Sequence, residues 1–284
     1  CGDKMSEKTT VTKKSSFTSS LGFVLAAAGS AVGLGNIWRF PYLAAKNGGG
    51  LFILIYLVLA FTFGFALLTT DIAIGRKTGK NALEAFGEIS KKWKFIGVLS
   101  FIVPAIILTY YSVVGGWITK YMFSYLIGES KQLASDGYFS NFISAPIAPI
   151  VFMLVFLALT ALVVYAGVEK GIEKVSKVMM PILVAMVIFI AVYSMFMPGA
   201  LEGVKYYLTP DFSKFSITTV LAAMGQLFYS MSLAMGIMIT YGSYMKKDVN
   251  VESAVHNIEI FDNGADTVLK YITYSLAAVA VAVK

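Results

Sequence analysis

Cysteine, histidine and charged side chains are scarce in this 284-residue chain. It has one cysteine, one histidine and 14% charged residues, whereas a soluble domain carries about 25% charged residues. A single cysteine excludes a disulfide-stabilised scaffold. With one cysteine and one histidine, no nucleophile–base pair and no cluster of metal-binding side chains is evident. We therefore do not expect an enzyme.

Apolar residues take the place of the missing charge. The chain is 57% hydrophobic and 14% aromatic, and its mean hydropathy is +0.75. A soluble domain has about 45–50% apolar residues, so this chain could not cover itself with polar surface in water. The composition also excludes a disordered protein. It predicts an all-α, multi-pass membrane protein with one domain of six or seven helices.

Seven apolar runs approach the length of about 20 residues that crossing a bilayer requires. They are Leu21–Ala45, Leu51–Ile74, Phe95–Ile127, Pro149–Val168, Val178–Met197, Thr219–Tyr244 and a weaker run, Thr267–Val283. Residues 1–16 are predicted to form a polar cytoplasmic tail. Residues 17–284 are predicted to form a single transmembrane domain.

Basic residues indicate the orientation of these runs. With the N-terminus in the cytoplasm, 15 of the 23 Lys and Arg residues fall in cytoplasmic segments and 4 outside. Such a bias is typical of the positive-inside rule, and it explains the net charge of +7 without a nucleic-acid partner. The cytoplasmic loop Gly79–Lys94 is interpreted either as an amphipathic segment on the membrane surface or as a solvated linker.

The first run contains a candidate helix break. Its centre reads AGSAVGLGN from Ala28 to Asn36, followed by Arg39 and Pro41. The spacing of Gly29 and Gly33 also suits close helix packing. However, an arginine inside a span is costly and proline removes a helix donor, so the pattern favours a functional break.

The sixth run has a similar interruption, FYSMSLAMG from Phe228 to Gly236. The serines could simply bond back to their own helix. Two interrupted helices in corresponding places indicate a transporter site built from an inverted repeat. Free N–H groups there would attract a carboxylate, and free carbonyls would bind a small cation or an ammonium. Such a site suits a zwitterion together with Na⁺.

These motifs resemble a known family. The string GSAVGLGNIWRFP from Gly29, the NGGG that begins at Asn47, the pair Tyr110-Tyr111 and GQLFYSMS from Gly225 are similar to the signature of the neurotransmitter:sodium symporters. These are LeuT-type Na⁺-coupled amino-acid transporters. The resemblance implies the LeuT fold of inverted five-helix repeats with helices 1 and 6 broken, in a bacterial inner membrane.

The resemblance also implies a set of ligands for two Na⁺ ions and a substrate. The first Na⁺ would be bound by Ala31, Asn36, Ser230 and Asp262, and the second partly by the Gly29 and Val32 carbonyls. The substrate would be held by Ala31, Leu34, Gly35, Ile107, Tyr111, Tyr229, Ser230, Ser232, Ala234 and Met235. Outside this resemblance, Tyr111 could be an interior aromatic residue and Asp262 a plain helix cap.

Gates and chloride dependence follow from the same resemblance. Lys14 and Phe17 stand where the family closes its inner gate. Arg39, Gln226 and Tyr229 match the outer gate. Asp266 falls where chloride-independent members carry an acidic residue, so we expect no requirement for Cl⁻.

The chain is short for this family, which has ten core helices. We expect only the first repeat, helix 6 and part of helix 7, with the second Na⁺ site incomplete. A truncated, frameshifted or deliberately shortened chain would each explain this. The predicted function is Na⁺-coupled import of a neutral, hydrophobic or aromatic amino acid by alternating access. The alternative is a non-transporting fragment or binding module. A channel would not explain why Asn36, Ser230 and Ser232 flank two breaks.

Overall fold

The computed structural model describes residues 16–31, 33, 35–196, 200–246 and 248–260. Several predictions lie outside these described residues, namely those on Lys14, Val32, Leu34, Asp262, Asp266 and the seventh run, Thr267–Val283. Within the described ranges the chain is almost entirely helical. An isolated bridge between Gly49 and Pro210 is the β contact found there.

The helices follow one another along the whole described chain. They are α1 Ser20–Ala31, α2 Phe40–Lys46, α3 Gly50–Leu59, α4 Phe65–Thr78, α5 Ala82–Ile89, α6 Lys94–Leu126, α7 Ser130–Leu133, α8 Tyr138–Ser144, α9 Ala148–Tyr165, α10 Lys174–Met195, α11 Ala200–Leu208, α12 Ile217–Ser230, α13 Ile237–Ser243 and α14, residues 251–260. Three π-helical turns join some of them, at Gly35–Arg39, Ala60–Gly64 and Val168–Glu173.

Long apolar segments dominate the fold. Three segments of the described chain are long and apolar enough to cross a membrane: Gly50–Thr78, Lys91–Leu126 and Ala148–Tyr165. The last of these has no buried residue. A helix that is apolar all round and yet exposed suits a lipid environment, as predicted for a membrane protein.

The first run is broken, as the sequence predicts. The helix α1 ends at Ala31, a π-helical turn covers Gly35–Arg39, and α2 restarts at Phe40. The π-helical turn runs without a gap into α2, because Arg39 itself has helical backbone angles. The outer half of the first run therefore begins at Gly35, and Pro41 lies inside it.

Aromatic packing fixes the outer half of this broken helix. The buried Phe40 ring on α2 meets the rings of Phe52 and Tyr56 on α3 edge-on, with centroids 5.4 and 4.9 Å apart. All three side chains are fully buried. Such edge-to-face pairs contribute about 0.5–1.5 kcal/mol each beyond the area they bury.

Glycine allows α4 and α13 to pack backbone against backbone. A Cβ built on Gly75 of α4 would overlap the carbonyl oxygen of Ile239 on α13, and a Cβ on Gly242 of α13 would overlap that of Ile72 on α4. Because neither position has room for a side chain, the two helices are held in one register.

The loop Gly79–Lys94 contains a helix instead of a plain linker. Asn81 caps α5, because its side chain accepts a hydrogen bond of 3.2 Å from the Glu84 backbone N–H. Ala82 and Ala85 are buried in a small cluster with Ile239 of α13. The structure therefore has an amphipathic helix in this loop, while its position on a membrane surface stays a prediction.

Candidate functional site

The interruption in the sixth run lies between Ser230, the last residue of α12, and Ile237, the first of α13. Ser232 and Ala234 there have φ of +53° and +57°. Non-glycine residues rarely adopt this left-handed conformation, which costs about 1–2 kcal/mol per residue. The surrounding contacts must therefore stabilise this non-helical backbone conformation between α12 and α13.

Asp71 on α4 supplies one of those contacts. Its Oδ2 accepts a hydrogen bond of 3.3 Å from the Ala234 backbone N–H, and the side chain is largely buried. This role is not among those predicted from the sequence. The available signal was a carboxylate inside an apolar run, since such residues face a protein interior and are typically functional.

The two breaks face each other. The Ser30 and Ser232 hydroxyl oxygens are 3.3 Å apart, and the Ser232 hydroxyl donates to the Ser30 carbonyl at 3.2 Å. The Asn36 amide donates to the Ser230 hydroxyl at 3.1 Å. The structure thus brings together the polar residues that the sequence singled out in runs far apart in the chain.

The chemistry of this cluster fits the predicted first Na⁺ site. Asn36 and Ser230 are both about 1% exposed, and their side chains provide neutral oxygen donors beside the end of α1 at Ala31. Hard cations prefer oxygen ligands. Asp262, the predicted anionic ligand, lies outside the described residues. Gly29, predicted for the second Na⁺, is exposed on the last turn of α1.

A cavity of about 260 Å³ lies beside the breaks. Its walls include these predicted substrate residues: Ala31, Gly35, Ile107, Tyr111, Tyr229, Ser232 and Met235. Further apolar surface, not predicted from the sequence, comes from Pro104, Leu108 and Ile237. Ser230 and Ala234, which were also predicted to hold the substrate, do not line this cavity.

Tyrosine rings cover one side of the cavity. The Tyr111 and Tyr229 ring centroids are 6.2 Å apart, and the Tyr229 hydroxyl bonds the Tyr110 hydroxyl. The Arg39 guanidinium lies 5.0 Å from the centre of the Tyr229 ring. A Cβ on Gly35 would lie 2.5 Å from that ring, so only glycine lets the ring lie this close.

Of the other predicted outer-gate residues, Gln226 is fully buried and donates to the Gly35 carbonyl at 3.2 Å. The Gln226 side chain thus links α12 to the backbone at the break in the first apolar run. Arg39 contacts Tyr229 as described above, and no contact between Arg39 and Gln226 is found among the described residues.

Phe17 lies at the opposite end of α1 from the cavity. Its buried ring meets Phe23 and Tyr241 edge-on at 5.4 and 5.8 Å, and its backbone N–H donates to the Tyr244 carbonyl at 3.1 Å. The residue predicted for the inner gate thus joins the start of α1 to the end of α13.

Thr18, the residue after Phe17, is held by hydrogen bonds to the carboxylate of Glu173. The carboxylate accepts hydrogen bonds from the Thr18 backbone N–H at 2.7 Å and from the Thr18 hydroxyl, and it pairs with Lys177 at 2.7 Å. Lys246 donates to the Thr18 carbonyl at 2.7 Å. Burial raises the pKa of Glu173, but the bonds from Lys177 and Thr18 outweigh it, so the pKa is below its ordinary value.

Replacing Asp71 with alanine tests how the helix break is held. The Ala234 N–H would lose its carboxylate acceptor while its backbone remains left-handed. Because a hydrogen bond to a charged group contributes about 1.5–3 kcal/mol, we expect a lower thermal unfolding midpoint in detergent. Thr70→Ala is the matched control, since Thr70 is an exposed neighbour that bonds only its own helix. Equal midpoints for the two variants would contradict this role.

The sequence profile of the sodium:neurotransmitter symporter family matches residues 14–134 and 140–275. The chain belongs to this family. Its members are transporters, which agrees with the prediction that the chain is not an enzyme. The matched residues include both helix breaks and all of the described site.

Among the relatives of this chain is the uncharacterized sodium-dependent transporter YhdH of Bacillus subtilis. The identity is 39% over 251 residues, covering 87% of this chain and 56% of YhdH. The taurine transporter of Rattus norvegicus, named as sodium- and chloride-dependent, is 27% identical over 310 residues, covering 93% of this chain and 50% of that protein. The chain therefore spans about half the length of these curated relatives.

A solved structure confirms the predicted fold class. The crystal structure of MhsT in complex with L-phenylalanine superimposes with a TM-score of 0.87 at 36% identity. The match covers 94% of this chain and 62% of that one. This chain thus has the LeuT-type arrangement, with its first and sixth apolar runs interrupted.

Proposed function

We propose that the protein is a Na⁺-coupled symporter that imports a neutral, hydrophobic or aromatic amino acid by alternating access. The observation that carries the proposal is the meeting of two helix breaks beside one cavity, with Asn36, Ser230 and Ser232 between them. Family membership supports it, since the relatives are named as sodium-dependent transporters.

The site offers separate places for the two ends of an amino acid. Gly35 and Tyr111 both line the cavity at the broken helix 1, and the Gly35 backbone N–H and the Tyr111 hydroxyl would donate to a carboxylate. The carbonyls at the end of α12, together with the Ser232 hydroxyl, would accept from the ammonium. A Na⁺ held by Asn36 and Ser230 would neutralise the carboxylate, which couples ion binding to substrate binding.

The apolar wall sets the substrate class. Ile107, Leu108, Met235 and Ile237 face the cavity, and none of them can satisfy a polar side chain. Methionine is unbranched and adapts to bulky partners. The MhsT structure with bound L-phenylalanine supports an aromatic or large aliphatic substrate.

We further propose a bacterial inner-membrane location with the N-terminus in the cytoplasm, two Na⁺ sites and no chloride requirement. The charge bias supports this orientation. Since the chain spans about half the length of its relatives, a non-transporting binding module is the second candidate. Radiolabelled uptake into proteoliposomes separates it from the symporter, because a module binds substrate without accumulating it.

The decisive experiment measures binding of tritiated phenylalanine and leucine to the protein expressed from its complete gene, in NaCl and in KCl. We expect binding in NaCl alone. Asn36→Ala should raise the Na⁺ concentration for half-maximal binding by about ten-fold or more, because contacts to a charged group contribute about 1.5–3 kcal/mol. Asn141→Ala, which removes an exposed amide on α8, is the control.

Equal binding in KCl and NaCl would overturn the proposal, and so would an unchanged Na⁺ requirement in Asn36→Ala. A competition panel of the natural amino acids then tests the substrate class. Displacement by glycine at concentrations as low as those of phenylalanine would contradict an apolar side-chain pocket.

A further inference from the structure

A basic and aromatic corner follows α5. The chain becomes extended at Ser90, makes a short 3₁₀ turn at Lys91–Trp93 and enters α6 at Lys94. The lysines in this corner are exposed, and so are Trp93 at 46% and Phe95 at 54%. We call Lys91–Phe95 the lysine–tryptophan corner.

The lysines of this corner form no ion pair with an acidic residue among the described residues. The acidic residues of α5, Glu84 and Glu88, are both engaged by Lys80, at 3.9 and 2.9 Å. The Lys92 ammonium lies 5.6 Å from the Trp93 ring, so cation and ring face outward together.

The length of the following span places this corner at headgroup depth. Lys91–Leu126 is a continuous helical segment of 36 residues, about 54 Å long at about 1.5 Å per residue. The hydrocarbon core is about 30 Å thick. The ends of the segment therefore extend beyond the hydrocarbon core, where tryptophan and lysine are typical of the interface.

We propose that the lysine–tryptophan corner is a binding site for the phosphate headgroups of anionic phospholipids. The lysines would contact the phosphate, and Trp93 and Phe95 would lie against the acyl chains below it. Each lysine near an anionic surface contributes about a five-fold preference over a neutral one. A zwitterionic headgroup gains little of this, because its own cation offsets the phosphate.

The helix α5 separates the lysine–tryptophan corner from the break between α12 and α13. Ala82, on the buried face of α5, contacts the position of Gly236 so closely that a Cβ there would overlap it. At Gly97, just inside α6, a Cβ would lie 2.6 Å from the Leu83 carbonyl oxygen. The corner therefore directly follows a helix, α5, that packs against both α6 and α13.

The test uses the protein expressed from its complete gene in lipid nanodiscs of phosphatidylcholine with increasing fractions of dibrominated phosphatidylglycerol. Bromine quenches nearby tryptophan, and the difference between wild type and Trp93→Phe isolates Trp93 among the three tryptophans. We expect Trp93 to be quenched at a far lower fraction of brominated phosphatidylglycerol than of brominated phosphatidylcholine.

The double variant Lys91→Gln/Lys92→Gln should lose this preference by at least about ten-fold. The control Lys170→Gln/Lys174→Gln removes two exposed charges near the start of α10 and should leave the preference unchanged. Half-molar NaCl should weaken the preference, because it shortens the screening length to about 3–5 Å. Equal quenching by the two lipids, or equal loss in both double variants, would overturn the proposal.

Discussion

Replacing Glu173 with alanine should release the start of α1 from the helices around it. The Thr18 N–H and hydroxyl lose their shared acceptor, and Lys177 loses its partner. Removing one member of a buried pair costs about 3–5 kcal/mol. Lys177 is about two-fifths exposed and can turn to water, so we expect about 2–3 kcal/mol. The measurement is the thermal unfolding midpoint together with the rate of proteolysis near Thr18.

Glu169→Ala is the control for that result. Glu169 belongs to the same π-helical turn, Val168–Glu173, but it is exposed, so its removal should change neither the midpoint nor the proteolysis rate. If Glu169→Ala releases the start of α1 as much as Glu173→Ala does, the carboxylate of Glu173 is not the group that holds Thr18 in place.

The same contact predicts a dependence on acid. Because the pKa of Glu173 is lowered in the folded protein, its contribution is fully present above the ordinary glutamate pKa of about 4.3. It is lost as the pH falls through the lower folded value. Proteolysis near Thr18 should therefore accelerate below about pH 4 in the wild type, and Glu173→Ala should lack this acid-dependent step.

Gly75→Ala should be among the most damaging substitutions of a single methyl group. The added Cβ would overlap the Ile239 carbonyl oxygen, and a backbone atom of a helix cannot rotate away. Overpacking of this kind costs about 1–3 kcal/mol and occasionally more. We expect the upper end of that range, measured as a lower thermal unfolding midpoint in detergent.

Gly225→Ala is the matched control, because it adds the same methyl group inside α12 where no atom lies within 4 Å of the new Cβ. In a helix interior alanine is favoured over glycine by about 0.5–1 kcal/mol, so the control should be neutral or slightly stabilised. A Gly75→Ala midpoint equal to that of Gly225→Ala would show that α4 and α13 can separate freely.

The sequence allowed the breaks to be predicted because glycine, serine and proline interrupt otherwise apolar runs. Asn36 and Ser230 could be paired in advance because the family motif fixes both positions. The fold class followed for the same reason. In each case, a rare residue type in a membrane span carries the information.

Other contacts were not predictable from the sequence. Asp71 is a carboxylate inside an apolar run, which indicates a function but not its partner, and only the structure shows that it meets the Ala234 N–H. Glu173 reads as one of several charges in a cytoplasmic loop. Its role depends on the arrival of Thr18 from 155 positions away, and neither composition nor periodicity encodes such a meeting.

The π-helical turn Ala60–Gly64 divides the support of the two halves of the interrupted sixth run. It lies within the long segment Gly50–Thr78, so that α3 packs on α12 before it and α4 packs on α13 after it. Gly64 lies beside the break, since a Cβ there would be 3.0 Å from the Met231 sulfur. π-bulges are frequent at functional sites, and this one lies where the segment exchanges one packing partner for the other. Each half of the interrupted sixth run is therefore supported by its own part of Gly50–Thr78.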